Sequence, residues 1–131
     1  MEKPTLFLVE DEEDTALLLT MIMKEEGYDV IHASDGKQAQ VKIDALPPPA
    51  LILLDMGLPH VHGLDLLALI RKKPSWKGVP VVVLTADGDQ TNICKAIVAG
   101  ASDYILKPFK REILLGRLAR FGSTDPNRRT A

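Results

Sequence analysis

A single cysteine, Cys94, excludes an internal disulfide framework and suits a reducing compartment. As a residue it reads as a small buried hydrophobe. Aromatic residues are scarce at 5% of the chain, and the one tryptophan, Trp76, lies in a loop-like PSWKG where local packing is expected. No apolar run reaches the roughly 18 residues that a membrane-spanning helix needs. MEKPTLFLVE closes its short apolar stretch with an acid rather than a cleavage site, so a cytoplasmic location without membrane contact is expected. Positive charge is not in excess either: 16 Lys and Arg face 18 Asp and Glu, leaving −2. That balance gives no basic field for nucleic acid, and no helix-turn-helix pattern follows residue 121. The basic residues gathered from Lys107 to Arg129 read as an exposed helix face and a tail.

What the chain does have is alternation. TLFLVE (5–10), ALILLD (50–55), PVVVLTA (80–86) and DYILK (103–107) are short, nearly continuous apolar runs, with a weaker one at DVIHA (29–33). Runs of that kind are strands covered on both faces, as in a parallel sheet. Helical patterns separate them. Asp14 is placed to cap a helix with Leu18, Met21 and Ile22 inward and Gly27 as its stop. Gln38 to Leu46 gives a second helix, ended by Pro47-Pro48-Pro49. Leu64, Leu67 and Ile70 mark a third, Ile93, Ile97 and Val98 a fourth, and Ile113, Leu114 and Leu118 a fifth. Five strand–helix pairs predict an α/β fold, a doubly wound (βα)5 parallel five-stranded sheet with the flavodoxin-like order 2-1-3-4-5. The polar, patternless residues 122–131 read as a disordered tail or linker.

In such a sheet, ligands gather beyond the carboxyl ends of the strands. The predicted strands end in Glu10-Asp11, Asp55, Thr85 and Lys107. Three carboxylates, a hydroxyl and an ammonium therefore share one rim. Neighbouring carboxylates about 4 Å apart repel by roughly 4 kcal/mol at a protein surface, so the cluster calls for a cation. Hard oxygen ligands suit Mg2+, with Glu10, Asp11, Asp55 and the Gly57 carbonyl as the candidate set. Glu12, Glu13 and Asp14 fit better as first-turn helix acids. His60 and His62 form an HxH without a third ligand at zinc spacing, and read as a solvated loop.

Jointly, VEDEED, LILLDMGLPHVHG, VVVLTA and ASDYILKPF resemble the response-regulator receiver domain of two-component signalling, over residues 5 to about 121. The resemblance implies a receiver domain over 1–121. In it Asp55 is the phosphoacceptor, modified by phosphorylation, Glu10 and Asp11 are the acid pair, and Lys107 is the cationic partner. Thr85 binds a phosphoryl oxygen and Tyr104 is the aromatic switch, and the Lys107-Pro108 peptide is usually cis. His62 departs from the pattern, which usually has Asp or Asn before that glycine. The implied partners are a histidine kinase or phosphotransfer protein upstream and a downstream protein or output domain. The expected readout face is the fourth helix, fifth strand and fifth helix.

Such a domain is not an enzyme beyond catalysing its own phosphorylation and dephosphorylation. Gly57 and Asp87, each two residues past a site residue, are expected to tune the lifetime of the phosphate. Two other functions compete. A phosphohydrolase with an aspartyl-phosphate intermediate generally has a carboxylate where Gly57 stands. A phosphorylation-independent binding module would have no need of the whole site. The fourth helix carries little charge beyond Lys95, which favours a monomer or weak dimer.

Overall fold

Five parallel strands lie in the order β2-β1-β3-β4-β5, as expected. They are β1 Thr5–Val9, β2 Asp29–Ala33, β3 Leu51–Asp55, β4 Val81–Thr85 and β5 Asp103–Leu106. The helices between and after them are α1 Glu13–Glu25, α2 Gly36–Ala45, α3 Gly63–Lys72, α4 Gln90–Val98 and α5 Arg111–Leu118. This computed structural model describes residues 3–58, 61–86, 88 and 90–121; His60, Asp87 and the 122–131 tail lie outside the described residues.

Alternation within each strand divides the core in two. Phe7, Val9, Ile52, Leu54, Val81 and Val83 face α2, α3 and α4, whereas Leu6, Leu8, Leu51, Leu53, Val82 and Leu84 face α1 and α5. β3 is buried along its whole length, as its central position requires. Trp76 does not pack locally. It is fully buried in the first of these layers, edge-on to Phe7 with ring centroids 5.8 Å apart, and its indole N–H donates to the Leu46 carbonyl. A turn-rich PSWKG gives no hint that its one large ring reaches across the sheet.

Several inward faces differ from expectation. In α1 the buried residues are Ala16, Leu19, Ile22 and Met23, while Leu18 and Met21 face solvent. ALLLTMIM is apolar around most of the helix, so periodicity alone fits two registers. The cap of α1 is Glu12, not Asp14: its carboxylate accepts from the backbone N–H of Asp14 and Thr15, and the Thr15 hydroxyl, then these N–H groups, hold it below the usual carboxylate range. Glu13 and Asp14 occupy the first turn as expected, and Gly27, at φ 97°, ends the helix. α2 starts at Gly36, two residues early, because Asp35 caps it through the Gln38 N–H.

On α4, Ile97 and Val98 are exposed, and Ala96 alone is fully buried. Cys94 is also exposed, contrary to the buried reading. On α5, Leu114 and Leu118 are inward but Ile113 is outward. The basic C-terminal residues are partly paired: Arg117 lies 2.8 Å from the buried Asp103, Arg120 lies 3.7 Å from it, and Arg111 lies 2.6 Å from Glu25.

Candidate functional site

The carboxyl ends of β1, β3, β4 and β5 meet on one rim. Register puts Asp55 beside Leu84 and Thr85 beside Leu106, and the Lys107 N–H continues the ladder to the Thr85 carbonyl at 2.8 Å. Asp55 and Lys107 thus leave β3 and β5 on either side of β4, at the same rim of the sheet. Glu10 follows β1 directly, its N–H still held by the Ala33 carbonyl at 3.1 Å. Its own carbonyl accepts from His32 Nε2 at 2.8 Å.

Glu10 is fully buried and Asp55 nearly so, while Asp11 is exposed at the mouth. One oxygen from each lies within 4.8 Å of the others. Lys107 Nζ stands 2.6 Å from Glu10 Oε1 and 3.3 Å from Asp55 Oδ2. Asp55 Oδ1 accepts the Gly57 N–H at 2.9 Å. The Lys107-Pro108 bond is cis.

These contacts set the protonation. Burial, then the carboxyl contact with Asp55, push Glu10 up to about 7 against the pull of Lys107. Burial alone would raise Asp55, but hydrogen bonds from Glu10 and the Gly57 N–H, with Lys107 behind them, hold it below the usual range. Lys107 is raised, because Glu10 and Asp55 outweigh its burial. The contacts therefore favour the ionised form of Asp55 and the protonated form of Glu10.

Glu10 Oε2 is buried without a hydrogen-bond donor. An orphaned acceptor facing two more carboxylates needs either a proton or a cation. The three hard oxygen donors of Glu10, Asp11 and Asp55, one from each within 4.8 Å of the others, suit a small divalent cation, which can keep its remaining positions for water or phosphoryl oxygen.

Thr85 is half-buried at the end of β4, beside a cavity of about 260 Å³ that runs under α4 between Met56, Leu64, Val83 and Ile93. Tyr104 is half-buried one strand over, with the Arg117 guanidinium 5.2 Å above its ring. His62 is not merely a loop residue. It caps α3, its Nδ1 accepting the Leu64 N–H at 3.1 Å, which is the work an Asp or Asn does at such a place. Behind it, Gly63 lets the loop fold onto Met56, since a Cβ there would fall 2.7 Å from Met56 Sδ.

The structure brings Glu10, Asp11, Asp55, Gly57 and Lys107 together and leaves Thr85 and Tyr104 on the adjoining strands. Sequence reasoning missed His32, whose contact with Glu10 depends on pairing between β1 and β2, and the Asp103–Arg117 pair. An acid opening a predicted strand was the available signal for the latter.

A family model described as the response regulator receiver domain matches residues 6–119. The DNA-binding response regulator MtrA of Mycobacterium tuberculosis (strain ATCC 25618 / H37Rv) is 37% identical over 121 residues, covering 92% of this chain and 51% of MtrA. This chain thus spans about half the length of the curated relatives it matches. Among solved structures, the receiver domain of sensor histidine kinase PA1611 from Pseudomonas aeruginosa PAO1 has a TM-score of 0.82 and 31% identity, covering 92% of this chain and 98% of that one. That crystal structure has a magnesium ion coordinated in its active site cleft. Chemotaxis response regulator CheY4 of Vibrio cholerae, at 24% identity, shares the fold with a TM-score of 0.86, covering 92% of this chain and all of that one. The chain belongs to the response-regulator receiver family, the signalling domains of two-component systems.

Proposed function

We propose that Asp55 accepts a phosphoryl group from a phosphohistidine on a histidine kinase or phosphotransfer protein, and that the resulting charge is read out on the face formed by α4, β5 and α5. The observation that carries this reading is the buried, ionised Asp55 held between Lys107, the Gly57 N–H and two further carboxylates.

A carboxylate oxygen of Asp55 attacks phosphorus, the P–N bond to the donor imidazole breaks, and that imidazole leaves with the bond pair and takes up a proton. Asp55 needs no base, because it is already ionised. Its low conformational freedom supplies the positioning, as β3 and the Gly57 N–H fix the carboxylate. Lys107 offsets charge on the transferring oxygens. Glu10, Asp11, Asp55 and the Gly57 carbonyl would hold Mg2+, which when bound screens the carboxylates from the incoming phosphoryl group.

Thr85 lies next to that position and is suited to turn its hydroxyl toward a new phosphate oxygen. The cavity under α4 gives the rearrangement room, and Tyr104 is the aromatic group placed to follow. The domain catalyses its own phosphorylation and dephosphorylation, with Gly57 setting access of water to the acyl phosphate.

Incubation with acetyl phosphate and Mg2+, followed by intact mass, tests the reading. A gain of one phosphoryl group that needs the metal and is lost in Asp55→Asn supports it. No gain, or phosphate release with many turnovers from varied substrates, overturns it.

A further inference from the structure

The first carbonyl past the end of β1 belongs to Glu10, and no strand partner remains for it, because β2 ends at Ala33. His32 supplies one. It pairs with Leu8 in the β1–β2 ladder, and its side chain reaches two residues onward along the neighbouring strand to place Nε2 2.8 Å from the Glu10 carbonyl oxygen. A carbonyl only accepts, so Nε2 carries the hydrogen in this contact.

Glu10 is consequently held at three points: its N–H by the Ala33 carbonyl, its C=O by His32, and its carboxylate by Lys107. The C=O of Glu10 and the N–H of Asp11 belong to one rigid peptide plane. Fixing that oxygen therefore fixes the direction in which the chain delivers the Cα of Asp11. Residues 10 to 12 lie in neither β1 nor α1, and Asp11 is exposed, so core packing does not hold its side chain, and the Glu10–Asp11 peptide is oriented by the hydrogen bonds of Glu10 on one side and the Glu12 cap on the other.

From this geometry we infer that His32 is a positioning residue for the cation site, acting through the Glu10–Asp11 peptide rather than by touching the ion. The inference rests on the proposed Mg2+ role of Glu10, Asp11 and Asp55. Groups that orient metal ligands from behind typically contribute about 10- to 100-fold in metal affinity. An anchor acting through the backbone on one exposed ligand belongs at the lower end, near 10-fold.

The test is calorimetric titration of the full chain with Mg2+ alone, for the unsubstituted protein, His32→Ala and His32→Gln. Imidazole 15N shifts of the cation-free protein are recorded alongside. Because His32 is exposed, both variants retain the core, and thermal unfolding checks this. The expected result has three parts. His32 is in the Nε2–H form, His32→Ala binds Mg2+ about 10-fold more weakly, and His32→Gln, whose amide N–H can reach the same carbonyl, recovers affinity to within about 3-fold.

Unchanged affinity in His32→Ala overturns the inference and leaves the metal reading intact. Equal weakening in both variants overturns the hydrogen bond as the cause. An Nδ1–H form of the neutral ring overturns it independently of any metal. No magnesium uptake by the unsubstituted protein overturns the metal reading, and this inference with it.

Discussion

Lys107 sits 2.6 Å from Glu10 and 3.3 Å from Asp55, so one ammonium serves two buried carboxylates that approach each other from different strands. Removing it does more than delete a charge. Lys107→Met keeps most of the stem volume yet removes the ammonium from both acids, and under the proposed reaction the transferring oxygens lose that fixed positive partner. Phosphorylation by a small phosphodonor is expected to slow about 100-fold or more. Single-turnover rates at saturating Mg2+ check this, and a rate within a few-fold of the unsubstituted protein contradicts it.

Glu10 gives a pH dependence of defined sign in the absence of divalent cations. Its folded pKa of about 7 exceeds the ordinary 4.5, so the native state keeps a proton that the unfolded chain has already released. That contribution is complete below 4.5, and stability falls as pH rises from there to about 7. Denaturation curves across this window should show the decline, and Glu10→Gln should flatten it. A stability that rises with pH over the same range in the unsubstituted protein, with no change in the variant, contradicts the assignment.

Arg71 clamps three carbonyls that helices and strands leave over. Its Nε and Nη2 donate to Gly100 at 2.9 and 2.7 Å, and Nη1 donates to Lys77 and Val79 at 2.9 and 2.7 Å. The clamp ties α3 to the turn between α4 and β5. Arg71→Ala is expected to cost about 2–3 kcal/mol, since charged hydrogen bonds are lost and part-buried acceptors stay behind. Urea denaturation measures it, and a loss well under 1 kcal/mol would show these carbonyls content with water.

Gly57 leaves room for a side chain: an added Cβ meets only Asp55 Oδ1, at 3.5 Å. Gly57→Asn should therefore fold normally and crowd the approach of water to a phosphorylated Asp55. The half-life of the phosphoprotein is expected to lengthen several-fold, measured by decay of the phosphorylated mass after donor removal. An unchanged half-life removes Gly57 from the tuning role.

The sheet was legible because its strands are short, continuous and rich in Val, Ile and Leu, and the candidate site because four of the five strands end on or run into a polar residue. Asp55, Lys107 and Glu10 needed only strand ends and a parallel order to be brought together. Helix faces were less legible. α1 is apolar nearly all round, so Leu18 and Met21 fitted the period as well as Leu19 and Met23, and only tertiary packing chose between them. His62 looked like a departure from pattern, yet an imidazole Nδ1 accepts a helix N–H as a carboxylate does. Trp76, His32 and Arg71 reach partners remote in sequence, and local pattern carries no record of such contacts.

The site of phosphorylation can be located directly. After reaction with acetyl phosphate and Mg2+, borohydride reduces an aspartyl phosphate to homoserine, and peptide mass mapping then identifies the altered position. The account predicts homoserine at residue 55, in the peptide that carries LILLDMGLPHVHG, and nowhere else. Conversion at another acidic residue, or none at 55 under conditions where the phosphorylated mass is present, would contradict it.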